Sequence, residues 1–192
     1  DGAVNFKYTD VVAAMQQGNT DIIMEGAPLG GRINDPEKST VRGKLGYAMV
    51  PKGPGGRHPA FTGHGVALAA NAPNLEPAWL FLQWALSKEI TIDIAMNSNH
   101  VAVSRDSVWE DPTFRGKWNL PAAGGDFLKA FQDSLNAADA NYRPRISGWG
   151  EVNTAYGEAL QKVMLGQKTG EEAMNDAQAK AVEVMKRLEY ID

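Results

Sequence analysis

Gly63-His64-Gly65-Val66-Ala67-Leu68-Ala69-Ala70-Asn71, leading into Ala78-Trp79-Leu80-Phe81-Leu82-Gln83-Trp84-Ala85-Leu86-Ser87-Lys88-Glu89, is the stretch whose reading decides the architecture. The short apolar run between a Gly-His-Gly entry and Asn71 predicts a buried strand within 61–71. The segment after it predicts a helix from about Asn74 to Ser87. Asn74 is placed as its cap, and Pro77 falls in the first turn, where a missing N–H costs little. Trp79, Leu80, Leu82 and Leu86 line one side of that helix, so Trp79 and Trp84 are expected in the core. A short strand feeding a longer amphipathic helix is the repeating unit of an α/β fold.

The same alternation extends on both sides. Upstream, Thr9 to Gln17 predicts a helix capped by Thr9 or Asp10, with Val11, Val12 and Met15 on its apolar face and Gly18 at its end. Asp21-Ile22-Ile23-Met24 reads as a buried strand, and Leu45 to Val50 as another, closed by Pro51 and the Lys52-Gly53-Pro54-Gly55-Gly56 turn. Asp35-Pro36 and Asp111-Pro112 read as turns. Downstream, helices are predicted from Lys88 through Met96, from Asp126 to Ala138 and from Glu151 to Leu165, the last stopped by Gly166. Thr169-Gly170-Glu171-Glu172 has capping-box spacing and starts a final helix to about Leu188.

Composition narrows the function classes. A chain of 192 residues with 43% hydrophobic content can bury an ordinary core. The formal net charge of −4 leaves no basic surplus for a nucleic-acid partner. With no cysteine, disulfides, thiolate metal sites and thiol catalysis are excluded. No apolar run is long enough for a transmembrane helix. No Gly-x-Ser-x-Gly elbow, His-Glu-x-x-His helix or phosphate-cradling loop is present, and no cofactor is implied. A Glu25/Asp35 carboxylate pair is the one enzymatic alternative, as a glycan-processing couple, and it rests on residue types alone. The opening Asp1-Gly2-Ala3-Val4-Asn5-Phe6 has neither a methionine nor a leader and reads as the interior of a longer protein.

Four stretches in order carry a resemblance. They are Val11 to Met24; Asp35 to Ser39 with Gly43 to Tyr47 and Pro51 to Gly56; Gly63 to Asn71 with Ala78 to Glu89; and Arg143-Pro144-Arg145 with Leu165 to Ala173. Together they resemble the family 1 extracellular solute-binding proteins of ABC importers, the maltose-binding-protein-like group, with its sugar- and polyol-binding members nearest. The resemblance implies a class II periplasmic-binding-protein-like α/β fold of two lobes, of which this chain supplies roughly the C-terminal half. It implies that 1–55 belong to the second lobe, that 56–104 return to the first, and that 105–192 form the C-terminal helical part of the second. It further implies a periplasmic or lipid-anchored protein that performs no chemistry. The expected partners are a small-molecule ligand, the ABC permease subunits and the missing N-terminal portion of the same protein.

A sugar-like ligand needs a flat aromatic face for its C–H patches and polar groups for its hydroxyls. Trp149, in Ser147-Gly148-Trp149-Gly150, can present its ring from a glycine-flanked turn, or anchor that turn to the core. His64 lies between glycines that allow close backbone approach; the alternative is a histidine bonded to a neighbouring loop. Glu25 and Gly26 end a predicted strand where the family's cleft-facing loop begins, although a cap or surface ion pair is equally open to Glu25. Arg145, like Arg143, would favour an anionic sugar derivative if it faced the cleft. Asn153 follows Trp149 by one helical turn and can share its face. His58 and His100 are expected in solvent, and the residues around Trp109 and Trp118 leave those two unplaced.

Overall fold

A computed structural model describes residues 2–122 and 125–192, with the side chains of 121, 122, 125 and 126 left aside. Asp1, the first residue of the opening hexapeptide, lies outside the described residues. The described residues pack as two units, one within 7–140 and the other pairing 2–6 with 141–192.

In the larger unit, α1 (Tyr8–Gln16) begins one residue before the expected start. Lys7 takes the cap position, and its N–H donates to Asp10 Oδ2 at 2.8 Å, so Asp10 caps from inside the first turn. Gly18 ends the helix with a φ of 72°, a conformation that disfavours any side chain. Val12 and Met15 of α1 pack on Ile33 of the short helix α2 (Gly30–Ile33).

The main core is built by α4 (Lys88–Asn97), α5 (Asp106–Trp109), α6 (Pro112–Trp118) and α7 (Phe127–Ala137). Its buried residues are Ala95, Val101, Val108, Phe114, Trp118, Phe127, Leu128 and Phe131. Both unplaced tryptophans belong here. Trp118 is buried and its indole N–H donates to the Ala95 carbonyl at 3.1 Å. Trp109 stands edge-on to Phe114 and Phe131, with ring centroids 5.6 and 5.2 Å apart. Lys117 Nζ donates to the carbonyls of Ala95, Met96 and Ser98 at 3.0, 2.7 and 2.9 Å, closing the C-terminal end of α4. Asp111-Pro112 is a helix start rather than a plain turn. Asp111 accepts from the Thr113 N–H, and Pro112 sits at the first helical position. Lys88, 3.1 Å from Asp111, holds that carboxyl below the usual range.

Three expectations are corrected. Residues 21–24, 45–50 and 66–70 enter no ladder among the described residues. The strand pairing that is described consists of β1 (Pro121–Ala122) against β2 (Gly125–Asp126), with isolated bridges Gly53 to Gly56 and Ala60 to Asp139. A buried strand needs neighbours on both edges and both faces, yet Ile22 and Val66 are 84% and 66% exposed. In α3 (Leu75–Ala85) the expected core face is open: Leu82 is buried, but Trp79 and Trp84 are 56% and 57% exposed. The amphipathic pattern marks a face that can be buried, and among the described residues no element covers it. Asn74 holds the cap position of α3 but makes no side-chain cap hydrogen bond.

The smaller unit is an antiparallel pair, α8 (Trp149–Met164) and α9 (Gly170–Arg187), closed on Ala159, Ala173 and Ala177. Small side chains at the seam let the two backbones approach. The predicted capping box forms at Thr169: its Oγ1 accepts from Glu172 N–H at 3.2 Å, and Glu172 Oε2 accepts from Thr169 N–H at 2.9 Å. Gly166 ends α8 with a φ of 66°.

Candidate functional site

Trp149 is the first residue of α8 and is half-buried. The Ile146 carbonyl accepts from its backbone N–H at 3.1 Å, which closes the turn that delivers the ring. Asn153 lies one helical turn further on and is exposed, so the two share the start of α8. Arg145 is exposed four residues before Trp149. These three residues belong to the smaller unit.

His64, Glu25 and Gly26 belong to the larger unit. His64 is exposed, and among the described residues nothing beyond the immediate chain neighbours lies within 4 Å of where a side chain on Gly63 or Gly65 would begin. Glu25 Oε2 accepts from the Gly26 N–H at 3.3 Å, a contact made entirely within the loop. Gly26 then leads into the 3₁₀ turn Ala27–Leu29 and on into α2. His58 and His100 are exposed, and His58 Nε2 lies 2.9 Å from the Gly55 carbonyl oxygen.

A joint that follows the Glu25–Gly26 loop in the chain is not visible in local sequence. Asn34 Nδ2 donates to Tyr47 Oη at 2.6 Å and to the Gly30 carbonyl at 2.8 Å. Asn99 Nδ2 donates to Asp35 Oδ2 at 2.8 Å, across 64 positions of chain. Burial pushes the Tyr47 hydroxyl pKa up, against the lowering effect of its Asn34 hydrogen bond. Gly30 and Gly31 seat against Phe127 and against the Asn99 carbonyl and Trp118, leaving no room for a side chain at either position. The adjacent glycines and the Asn34-Asp35-Pro36 run were the available signal. Their partners, far away in sequence, were not.

The smaller unit offers one flat ring, one amide and one guanidinium, and the larger unit one imidazole and one carboxylate, all on loops or at helix starts. That is chemistry for binding hydroxyls and apolar C–H faces. Among the described residues no group of three or more His, Asp or Glu could hold a metal ion, and no helix is long and apolar enough to cross a membrane.

Known proteins extend the picture. The family model described as bacterial extracellular solute-binding protein matches residues 1–92. A Brucella abortus protein, named only as a candidate binding protein, is 25% identical over 187 residues, which are 97% of this chain and 42% of that protein. The erythritol/L-threitol-binding protein of Mycolicibacterium smegmatis is 26% identical over 141 residues, 73% of this chain and 29% of that protein. An ABC transporter solute-binding protein from Agrobacterium radiobacter K84, solved in complex with ribitol, superposes with a TM-score of 0.79 at 26% identity, covering 95% of this chain and 45% of that one. The chain thus spans less than half the length of these proteins while following the fold of the solved one over most of its own. By sequence match over residues 1–92 and by fold over most of its length, the chain is similar to the bacterial extracellular solute-binding proteins.

Proposed function

We propose that this chain is the C-terminal portion of the substrate-binding component of an ABC importer, and that the whole protein captures a small polyol or carbohydrate and hands it to a membrane permease. The observation that carries this reading is the 0.79 superposition on a solute-binding protein in complex with ribitol. Similarity to an erythritol/L-threitol-binding protein supports the same ligand class. The ligand lies between two lobes, with 1–55 and 105–192 assigned to one and 56–104 to the other. The rest of the first lobe comes from the N-terminal portion of the longer protein. Trp149 stacks on C–H faces, while His64, Glu25, the Gly26 backbone and Asn153 take hydroxyls. Arg145 contributes a cation at the rim. No bond is made or broken, because the site offers recognition groups without a paired nucleophile and base. The protein works in the periplasm or as a lipid-anchored extracellular form.

The test is thermal unfolding of the longer protein against ribitol, erythritol, threitol, hexoses and their phosphates. A ligand at a hundredfold excess over its dissociation constant stabilises the folded state by about 2.7 kcal/mol, which raises Tm by several degrees. A shift confined to polyols supports the reading. A shift confined to phosphorylated sugars reassigns the cargo to an anionic derivative. No shift across the panel overturns the assignment.

A further inference from the structure

We propose that the C-terminal end of α9 is the seat that fixes the Trp149 ring, and that Gly148, Val184, Leu188 and Tyr190 are positioning residues for ligand capture. The inference rests on reading Trp149 as a ligand-facing residue. Gly148 is buried at the cap position of α8, immediately before Trp149. Its φ of −83° and ψ of 1° are open to any amino acid, so backbone conformation does not call for glycine here. Space does. A Cβ on Gly148 would lie 2.5 Å from Val184 Cγ1 and 2.6 Å from Leu188 Cδ1, well inside contact distance. Val184 is fully buried, so its methyls have nowhere to retreat.

Two further contacts tie the same turn to the same end of α9. Arg187 Nη2 donates to Glu151 Oε1 at 2.6 Å, joining the last turn of α9 to the first of α8. Tyr190 Oη accepts from the Ser147 N–H at 3.4 Å and lies 3.4 Å from Ser147 Oγ. These hydrogen bonds from Ser147 hold the Tyr190 hydroxyl pKa below its ordinary value. Ser147, Gly148 and Glu151 are therefore all tied to one end of α9, and the Trp149 backbone lies between these contacts in the chain. A ring that must cover one face of a small polyol depends on placement within a fraction of an ångström, which a mobile turn would not give.

The experiment labels the longer protein with 5-fluorotryptophan and assigns the Trp149 resonance by its loss in Trp149→Phe. Ribitol and erythritol affinities are measured by calorimetry alongside. Gly148→Ala is expected to move the Trp149 resonance, leave the other tryptophan resonances in place and weaken polyol binding about tenfold. Adding Val184→Ala and Leu188→Ala to that variant reopens the space and should return both readouts towards wild type, which a general loss of stability would not do. Tyr190→Phe keeps the ring and should move the same resonance by a smaller amount; it decides the matter if Gly148→Ala does not fold. A Trp149 resonance that stays put in the folded variants overturns the proposal, and so does a resonance that moves while wild-type affinity is retained. If the wild type binds neither polyol but the resonance still moves and is rescued, the seat stands and the polyol assignment falls.

Discussion

A tryptophan brings a large apolar ring and a single N–H donor, and its burial depends on whether that donor meets a carbonyl. Trp118 and Trp109 satisfy the condition, donating to Ala95 and Val103 at 3.1 Å each, and both sit in the main core. Trp79 and Trp84 were expected inside on helical spacing and lie largely in solvent. Trp149 is intermediate, which suits a ring that rests on protein with one face and on ligand with the other. Trp149→Ala in the longer protein should weaken polyol binding by at least about tenfold, the loss of one aromatic stacking surface. Calorimetry with ribitol reads this, and unchanged affinity would return Trp149 to the role of a loop anchor. Phe114 gives the contrasting case. It is fully buried against Trp109, and Phe114→Ala should cost about 3–5 kcal/mol in urea unfolding, without a direct effect on the ligand site.

Local rules governed the helices well wherever the cap lay within a turn of the apolar face. The Thr169 box formed as spaced, and Thr169→Ala should cost about 1 kcal/mol, measured by chemical denaturation of the smaller unit's helices. The same helix start is acid-sensitive. Hydrogen bonds from Thr169 hold the Glu172 pKa below its ordinary value, and the Lys168 hydrogen bond does the same for Asp176. Groups with depressed folded pKa values contribute stability above the unfolded carboxylate range and lose it as pH falls through the folded values. Circular dichroism should therefore show helix loss below about pH 4, and Thr169→Ala should move its onset to higher pH. A Gly31→Ala change tests the other unit. The obstacle there is the Asn99 carbonyl, a backbone atom, so overpacking should cost about 1–3 kcal/mol and loosen the loop carrying Glu25 and Gly26.

For the molecule as a whole, apolar surface gives the clearest account of what this chain lacks. Ile22, Met24 and Val66 lie exposed in predicted strands, and Leu80, Phe81 and Trp84 are exposed on α3. Exposed apolar side chains in such number fit surfaces that a further part of a longer protein covers. Expressed alone, the 192-residue chain should bind a hydrophobic dye such as ANS and self-associate in light scattering, whereas the longer protein should do neither. A dye-silent, monodisperse fragment would remove the support that these faces give to a larger fold.

The positions of α1, α3, α4, α7, α8 and α9, the glycine stops at Gly18 and Gly166, the Thr169 cap and the family resemblance were legible from residues close together in the chain, because caps, turns and helical periodicity act within a few positions, whereas the short helices α2, α5 and α6 were not. Strand pairing was not, since a ladder depends on partners that the periodicity of Asp21–Met24 or Val66–Ala70 cannot name. Nor were the burial of Trp118, the Asn99–Asp35 hydrogen bond across 64 positions, or the seating of Gly148 on Val184 and Leu188. Each of these is a contact between residues distant in the chain, and its energy depends on packing that forms only when the elements meet. The sequence by itself determined where the longer helices form and which residue types are available to a ligand. The tertiary structure decided which rings are buried, which glycines have no room for a side chain, and what holds Trp149 in place.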